Sequence, residues 1–235
     1  MSVKLYHGEL KSISSLQMLN GGNTALVAAP GGGWEILQYL NAEETEPDQW
    51  RLTGLLRGQC GTEQEARTPG QAGAAFILLD DAVAPAELKA YETGLELTWR
   101  VGASGEDFSD QHFSVTTRVG GLRALQPLEP VHVKSQTDST GDMHVSWIRR
   151  GRIDADNWLA PDIPLGEDRE AYRIEIRRDG GMVRSVDCDQ TNWTYSVADR
   201  LADFGDVQAE IDFSVAMISA AVGPGRATRI AFPLK

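Results

Sequence analysis

Cysteine is scarce in this chain of 235 residues. Its two copies, Cys60 and Cys188, exclude a disulfide framework and a cysteine-based metal centre. They fall in different predicted domains, which favours two free thiols. Long apolar runs are missing as well. No segment approaches the ~20 residues that span a bilayer as a helix, and Met1 is followed by no signal-peptide pattern, so membrane insertion is not expected. Basic charge is in deficit. With a formal net charge of −12, phosphate attraction would have to be built from local patches against a repulsive field, so nucleic acid is not an expected partner. Catalytic signatures are lacking too. His7, His112, His132 and His144 are scattered, and no G-x-S-x-G elbow, P-loop, G-x-G-x-x-G or H-E-x-x-H pattern occurs. A glycosidase needs only two carboxylates, but an acidic chain always offers such pairs and the signal has no specificity. No enzymatic activity, catalytic residue, metal or cofactor is therefore expected. The sequon Asn192-Trp193-Thr194 has meaning only in a eukaryotic secretory route, to which nothing else points.

What the chain does have is period-two patterning. Tyr172-Arg173-Ile174-Glu175-Ile176-Arg177 alternates apolar and charged residues strictly, as a strand with one buried face does. Met143, Val145 and Trp147 alternate with His144 and Ser146. Ile211, Phe213, Val215 and Met217 alternate with Asp212 and Ser214. In the first half, Leu95, Leu97, Trp99 and Val101, and then Phe113, Val115, Thr117 and Val119, repeat the pattern. The continuous run at 74–79 suits a strand covered on both faces. Glu46-Pro47-Asp48 and Asp179-Gly180-Gly181 carry hairpin chemistry. Helical periodicity is confined to residues 84–91 and 197–204. The fold class is all-β.

Leu125-Gln126-Pro127-Leu128-Glu129-Pro130 favours an extended, semi-rigid connection, after which strand patterning restarts. This predicts a β domain over residues 1–126 and a second domain over 127–235. The second has seven strand candidates, at 131–134, 143–149, 172–178, 182–187, 192–197, 211–219 and 226–232. An early tryptophan in the second strand with no cysteine pair between sheets resembles a fibronectin type III β-sandwich more than an antibody domain. Phe213 stands where that family usually has a tyrosine.

On this reading the strands at 143–149 and 172–178 are joined by an excursion over 151–171, long for a compact domain and of a kind that is often functional. It and its entry carry the candidate contact residues Arg149, Arg150, Arg152, Asp154, Asp156 and Trp158. Asp154-Ala155-Asp156-Asn157 resembles the opening of a calcium loop, but Leu159 occupies the position that needs glycine. The three arginines have the chemistry to grip a phosphate or sulfated glycan, or to order the loop through salt bridges with its acids. Trp158, outside any strand pattern, could stack on a sugar ring or pack at an interface.

Two stretches resemble a known family. Gly33-Trp34-Glu35-Ile36-Leu37-Gln38 followed by Trp50-Arg51-Leu52-Thr53-Gly54-Leu55-Leu56-Arg57-Gly58-Gln59-Cys60-Gly61-Thr62-Glu63 is one. Ser146-Trp147-Ile148-Arg149-Arg150 with Pro164-Leu165-Gly166-Glu167 and Glu170-Ala171-Tyr172 is the other. In order and spacing they are similar to the C-terminal region of the megatron proteins of gene-transfer agents and siphophage baseplates. The resemblance implies a structural role in a phage tail tip or baseplate, in tail assembly and host attachment. It places the chain at the distal tail end of a virion made in a bacterial cytoplasm, with hub proteins as partners and trimeric assembly. The alternative is a receptor- or glycan-binding module acting through the 151–171 loop. Family members carry an upstream hydrolase-like barrel; the chain starts just before the C-terminal blocks, so that activity is not expected here.

Overall fold

The computed structural model describes residues 1–155, 159, 161–205 and 209–233. They form two compact units, Met1–Glu87 and Leu88–Lys235. The segment at 125–130, read from sequence as a linker, lies within the second unit. There Thr228 Oγ1 donates to the carbonyl of Pro130 and Arg152 Nη1 donates to the carbonyl of Ala124.

The first unit is built on β1 (Ser2–Lys4), α1 (Ser15–Leu19), β2 (Thr24–Ala28), β3 (Trp34–Glu46), β4 (Gln49–Gln59), α2 (Glu63–Arg67) and β5 (Phe76–Leu78). Its strands form one antiparallel sheet in the order β1-β4-β3-β2-β5. The β3–β4 hairpin turns at Pro47-Asp48, where proline pre-sets its own φ and Asp48 accepts a φ of 63°. Leu10, Tyr39 and Leu52 make one buried cluster, and Ala25, Val27 and Leu37 another. Burial raises the Tyr39 phenol to about 12. β5 departs from expectation. It is an edge strand paired only with β2, and Ile77 is exposed, so it is covered on one face rather than two.

The second unit opens with a single 3-10 turn (Ala90–Glu92) where residues 84–91 suggested a helix. β6 (Glu96–Val101) and β7 (Ser114–Val119) pair as a two-stranded ribbon that leaves Val101, Val115 and Val119 exposed. Next come α3 (Leu122–Leu125), β8 (Val131–Thr137), β9 (Met143–Ile148), β10 (Tyr172–Arg178), β11 (Gly181–Cys188) and β12 (Asn192–Tyr195). They are followed by α4 (Val197–Phe204), β13 (Glu210–Ser219), β14 (Gly223–Pro224) and β15 (Thr228–Pro233). A three-stranded sheet, β12-β9-β8, faces the sheet β11-β10-β13-β15, with β14 paired to the end of β13. This is the strand order of a fibronectin type III sandwich, and the chain is all-β as its alternation predicts.

Alternation becomes core directly. Met143, Val145 and Trp147 point inward from one sheet and Tyr172, Ile174, Ile176, Phe213 and Val215 from the other, all at most 4% exposed. Trp147 meets the Tyr172 ring edge-on at 5.3 Å and lies 6.3 Å from Phe213. The β10–β11 hairpin closes through Asp179 and Gly180, with φ of 50° and 80°, the two positive-φ positions of a type I′ turn.

With phenylalanine at 213, the crossover after β12 is held by a different polar tie. Tyr195 donates its hydroxyl to the carboxylate of Asp203 on α4, and Arg184 of β11 grips both Asp203 oxygens, Nε at 2.6 Å and Nη2 at 3.1 Å. Burial by itself would raise the Asp203 pKa, but the hydrogen bonds from Arg184 and Tyr195 and the guanidinium charge outweigh it and hold the group below the ordinary aspartate range. A carboxylate depressed on folding contributes stability that is present above its unfolded pKa, near 3.9, and is lost as pH falls through the folded value. The sandwich should therefore weaken progressively below about pH 4. Asp138 and Asp187, also depressed by hydrogen bonds, add to the same trend. In thermal unfolding followed across pH 7 to 2, Asp203→Asn should have a lower midpoint at pH 7 and a shallower acid slope. An unchanged slope would show that Asp203 carries none of the acid sensitivity.

Candidate functional site

The excursion from β9 to β10 is strapped down by its own arginines. Arg149, only 14% exposed in its side chain, donates through Nη2 to Asp162 Oδ2 at 2.8 Å and to the carbonyl of Ile163 at 2.5 Å, with Nη1 3.3 Å from the carbonyl of Pro164. Arg152 donates through Nε to Glu167 Oε1 at 3.1 Å and through Nη2 to the carbonyl of Gly166 at 2.8 Å, and its Nη1 reaches the carbonyl of Ala124 in α3. The Glu167 side chain is 6% exposed, so this is a largely desolvated, fixed pair rather than a surface ion pair. Leu165 packs against the sandwich core. Gly151 is buried, and a Cβ there would collide with the Ile163 side chain.

Pro164-Leu165-Gly166-Glu167 is thereby explained as a strap. Leucine anchors it, Gly166 takes a φ of 69°, and its carbonyl and the neighbouring glutamate receive Arg152. Of the residues singled out from sequence, Arg149 and Arg152 are brought together with the loop backbone, and Arg150 is half-buried and partnered. Asp154 is exposed in the left-handed region, with φ 45°. Asp156 and Trp158 lie outside the described residues. Around the strap, Ile148, Ile153 and Leu159 are exposed, Leu159 at 95%.

The other family-like stretch builds a polar cluster that alternation does not reveal. Glu35 on β3 has a side chain only 5% exposed. Arg57 on β4 donates to it as a fork, Nε to Oε1 at 2.8 Å and Nη2 to Oε2 at 2.6 Å, and the amide of Gly58 adds a third bond at 3.2 Å. This pairing raises the Arg57 pKa further, led by the hydrogen bond to Glu35. Thr62 Oγ1 accepts from the amide of Ile36 at 2.9 Å and donates to the carbonyl of Gln59 at 2.7 Å, tying the end of β4 to β3. Gly58, with φ 64°, packs closely on α2: a Cβ there would lie 3.0 Å from the Glu63 Cα and 3.3 Å from the Ala66 Cβ. The fork lines a cavity of about 370 Å³ in the first unit. The one sequence signal for it is an arginine set between Gly54 and Gly58 in a family-like stretch.

Among the described residues, Glu106, Asp110 and His112 are the one trio whose ligand atoms could converge on a cation. They lie in the turn between β6 and β7, two of them exposed, with His112 Nδ1 2.8 Å from Asp110 Oδ1. Among the described residues no helix is long and apolar enough to cross a membrane.

Residues 1–77 match the family described as Rcc01698-like, C-terminal. It is a family from gene-transfer-agent-like proteins, and the matched region holds the Glu35–Arg57 cluster. Among curated proteins none matches the chain. Among solved structures, domains d3–d4 of the rat CD45 extracellular region are similar at 11% identity, covering 71% of this chain and 77% of that one with a TM-score of 0.34. The FN1–FN3 domains of chicken CNTN1 are similar at 13% identity, with coverages of 95% and 60% and a TM-score of 0.30. The FN5 domain of Drosophila Lar is similar at 17% identity, with coverages of 46% and 99% and a TM-score of 0.25.

Proposed function

We propose that the chain is a non-enzymatic structural component of the tail tip or baseplate of a bacteriophage or gene-transfer-agent-like particle. In that role it acts in tail assembly and host attachment at the distal tail end. The observation that carries this reading is the match of residues 1–77 to a family from gene-transfer-agent-like proteins. The construction of the 151–171 excursion supports it. In its described part, residues 162–167 have their carbonyls and acids bound by Arg149 and Arg152 before any partner arrives, which lowers the entropy cost of docking there. Its outward side offers apolar residues, Ile153 and Leu159, to a neighbouring hub subunit. The alternative, a grip on a host polyanion, has less to work with, since Arg149 and Arg152 already direct their donors inward.

Cryo-EM of particles purified from the encoding strain should show density for the sandwich at the tail tip, in the trimeric arrangement implied by the resemblance. Particles carrying Ile153→Asp with Leu159→Asp should contain less of the chain. The isolated variant should keep its melting point, because substitutions at exposed sites usually move stability by less than about 0.5 kcal/mol. Absence of the chain from the tail tip would overturn the reading.

A further inference from the structure

The ribbon of β6 and β7 is open on both edges. Among the described residues it has no third strand, and no other segment takes up the outward backbone groups of Glu96–Val101 or Ser114–Val119. Two strands alone are marginally stable in water, and an open edge is a template for another strand. The two edges differ in sequence. β7 holds Arg118 and no acid, so pairing β7 with its own copy makes no ion pair. β6 and the residue before it read Leu95-Glu96-Leu97-Thr98-Trp99-Arg100-Val101. That stretch is symmetric about Thr98. Every odd position is apolar, an acid stands two residues before the centre, and a base stands two residues after it.

In an antiparallel pairing about Thr98, residues equidistant from the centre stand opposite each other on one face. Glu96 then meets Arg100 of the second copy, and Arg100 meets Glu96 of the second copy. On the other face Leu97 meets Trp99 of the second copy, and Leu95 meets Val101 of the second copy. A slip of one residue either way sets Glu96 against Trp99 or Val101 and breaks every match. In the single chain Leu95 and Val101 are 52% and 64% exposed and Leu97 and Trp99 are half-buried, so the stripe has apolar surface left to cover. Glu96 and Arg100 are exposed, beside Val119 and Val115 of β7. We propose that β6 pairs antiparallel with β6 of a second copy of this chain, centred on Thr98, giving a four-stranded sheet β7-β6-β6-β7. The contact is isologous, so it closes at two copies and leaves no open β6 edge. One strand edge is smaller than the roughly 1,200 Å² that stable complexes bury, so the dimer is weak and concentration-dependent. A two-fold contact is distinct from any contact within a threefold ring, so its failure leaves the particle reading untouched.

The test is sedimentation equilibrium of the full chain from about 1 µM to about 1 mM. The weight-average mass should rise toward that of two chains and stop there. Glu96→Arg and Arg100→Glu each set like charges opposite one another and should weaken the dimer tenfold or more. Mixed in equal amounts the two variants should associate again, because each arginine of one chain then faces a glutamate of the other. No effect confined to one chain produces that recovery. Amide exchange decides the matter should Arg100→Glu fail to fold. In the wild-type chain the outward amides of β6 should slow tenfold or more at the highest concentration, those of β7 should not, and Glu96→Arg should abolish the difference. A monomer at every concentration, growth beyond two copies, unchanged association in Glu96→Arg, no recovery in the mixture of folded variants, or slowing at another edge instead would each overturn the proposal.

Discussion

Arg57→Ala should destabilise the first unit by roughly 2–4 kcal/mol, the range for breaking a buried ion pair reduced because Arg57 is partly solvated. The cost falls on the partner left behind. Glu35, 5% exposed, loses both fork bonds and keeps only the Gly58 amide as donor. A buried carboxylate with one donor has lost hydration without replacement. Removing the other member is expected to be milder, because Arg57 is already 42% exposed and can turn to water. A double replacement, Glu35→Leu with Arg57→Leu, should lie closer to wild type than Arg57→Ala alone, since a desolvated pair replaced by apolar groups is often close to neutral. Amide hydrogen exchange of β3 and β4 under native conditions reads this unit separately from the sandwich. Equal protection in wild type and Arg57→Ala would show that the fork carries no stability.

Trp147→Ala is expected to cost about 3–5 kcal/mol in the sandwich, as for other large aromatics removed from a packed core. Trp147 is 4% exposed and is wedged between Tyr172 and Phe213 of the opposing sheet, so its removal opens a void both sheets must close. The indole N–H is buried and makes no hydrogen bond of ordinary geometry among the described residues, with the Tyr172 hydroxyl the polar group beside it. Trp147→Phe thus removes an unsatisfied donor along with part of the volume, and should cost only roughly 1–2 kcal/mol. Urea unfolding monitored by exchange in β10 and β13 should rank the variants in that order. Equal losses would mean that the N–H has a partner after all, or that the core closes around either change to the same extent.

Most of the sandwich is legible in the sequence alone. Residues 172–178 are the same strand by alternation and by pairing, and the helix at 197–204 is the one marked by its periodicity. Both signals are local: a two-residue period defines a buried strand face, and Ser196 caps the helix through its side chain. β5 goes the other way. Its apolar run reads as a strand covered on both faces, but edge position is a property of sheet order, which a single run does not encode. The candidate site divides along the same line. The arginines at 149 and 152 are visible as a cluster, while their partners are not, because guanidinium targets such as the carbonyls of Ile163 and Gly166 carry no side-chain signature.

The sequence by itself determined the all-β class, the alternating core residues of the sandwich and the Pro47-Asp48 and Asp179-Gly180 turns, because each depends on residues within a few positions of one another. The same alternation at 95–101 and 113–119 gives strands that leave Val101, Val115 and Val119 exposed. Only the tertiary structure decided which charges are buried and with whom. Glu35 and Arg57 are 22 residues apart, and Arg152 and Glu167 are 15 apart. Whether such pairs meet depends on strand register, on the bends at Gly54 and Gly58, and on how a long loop folds back. These are energies of packing and desolvation shared by groups distant in the chain, and no local pattern records them.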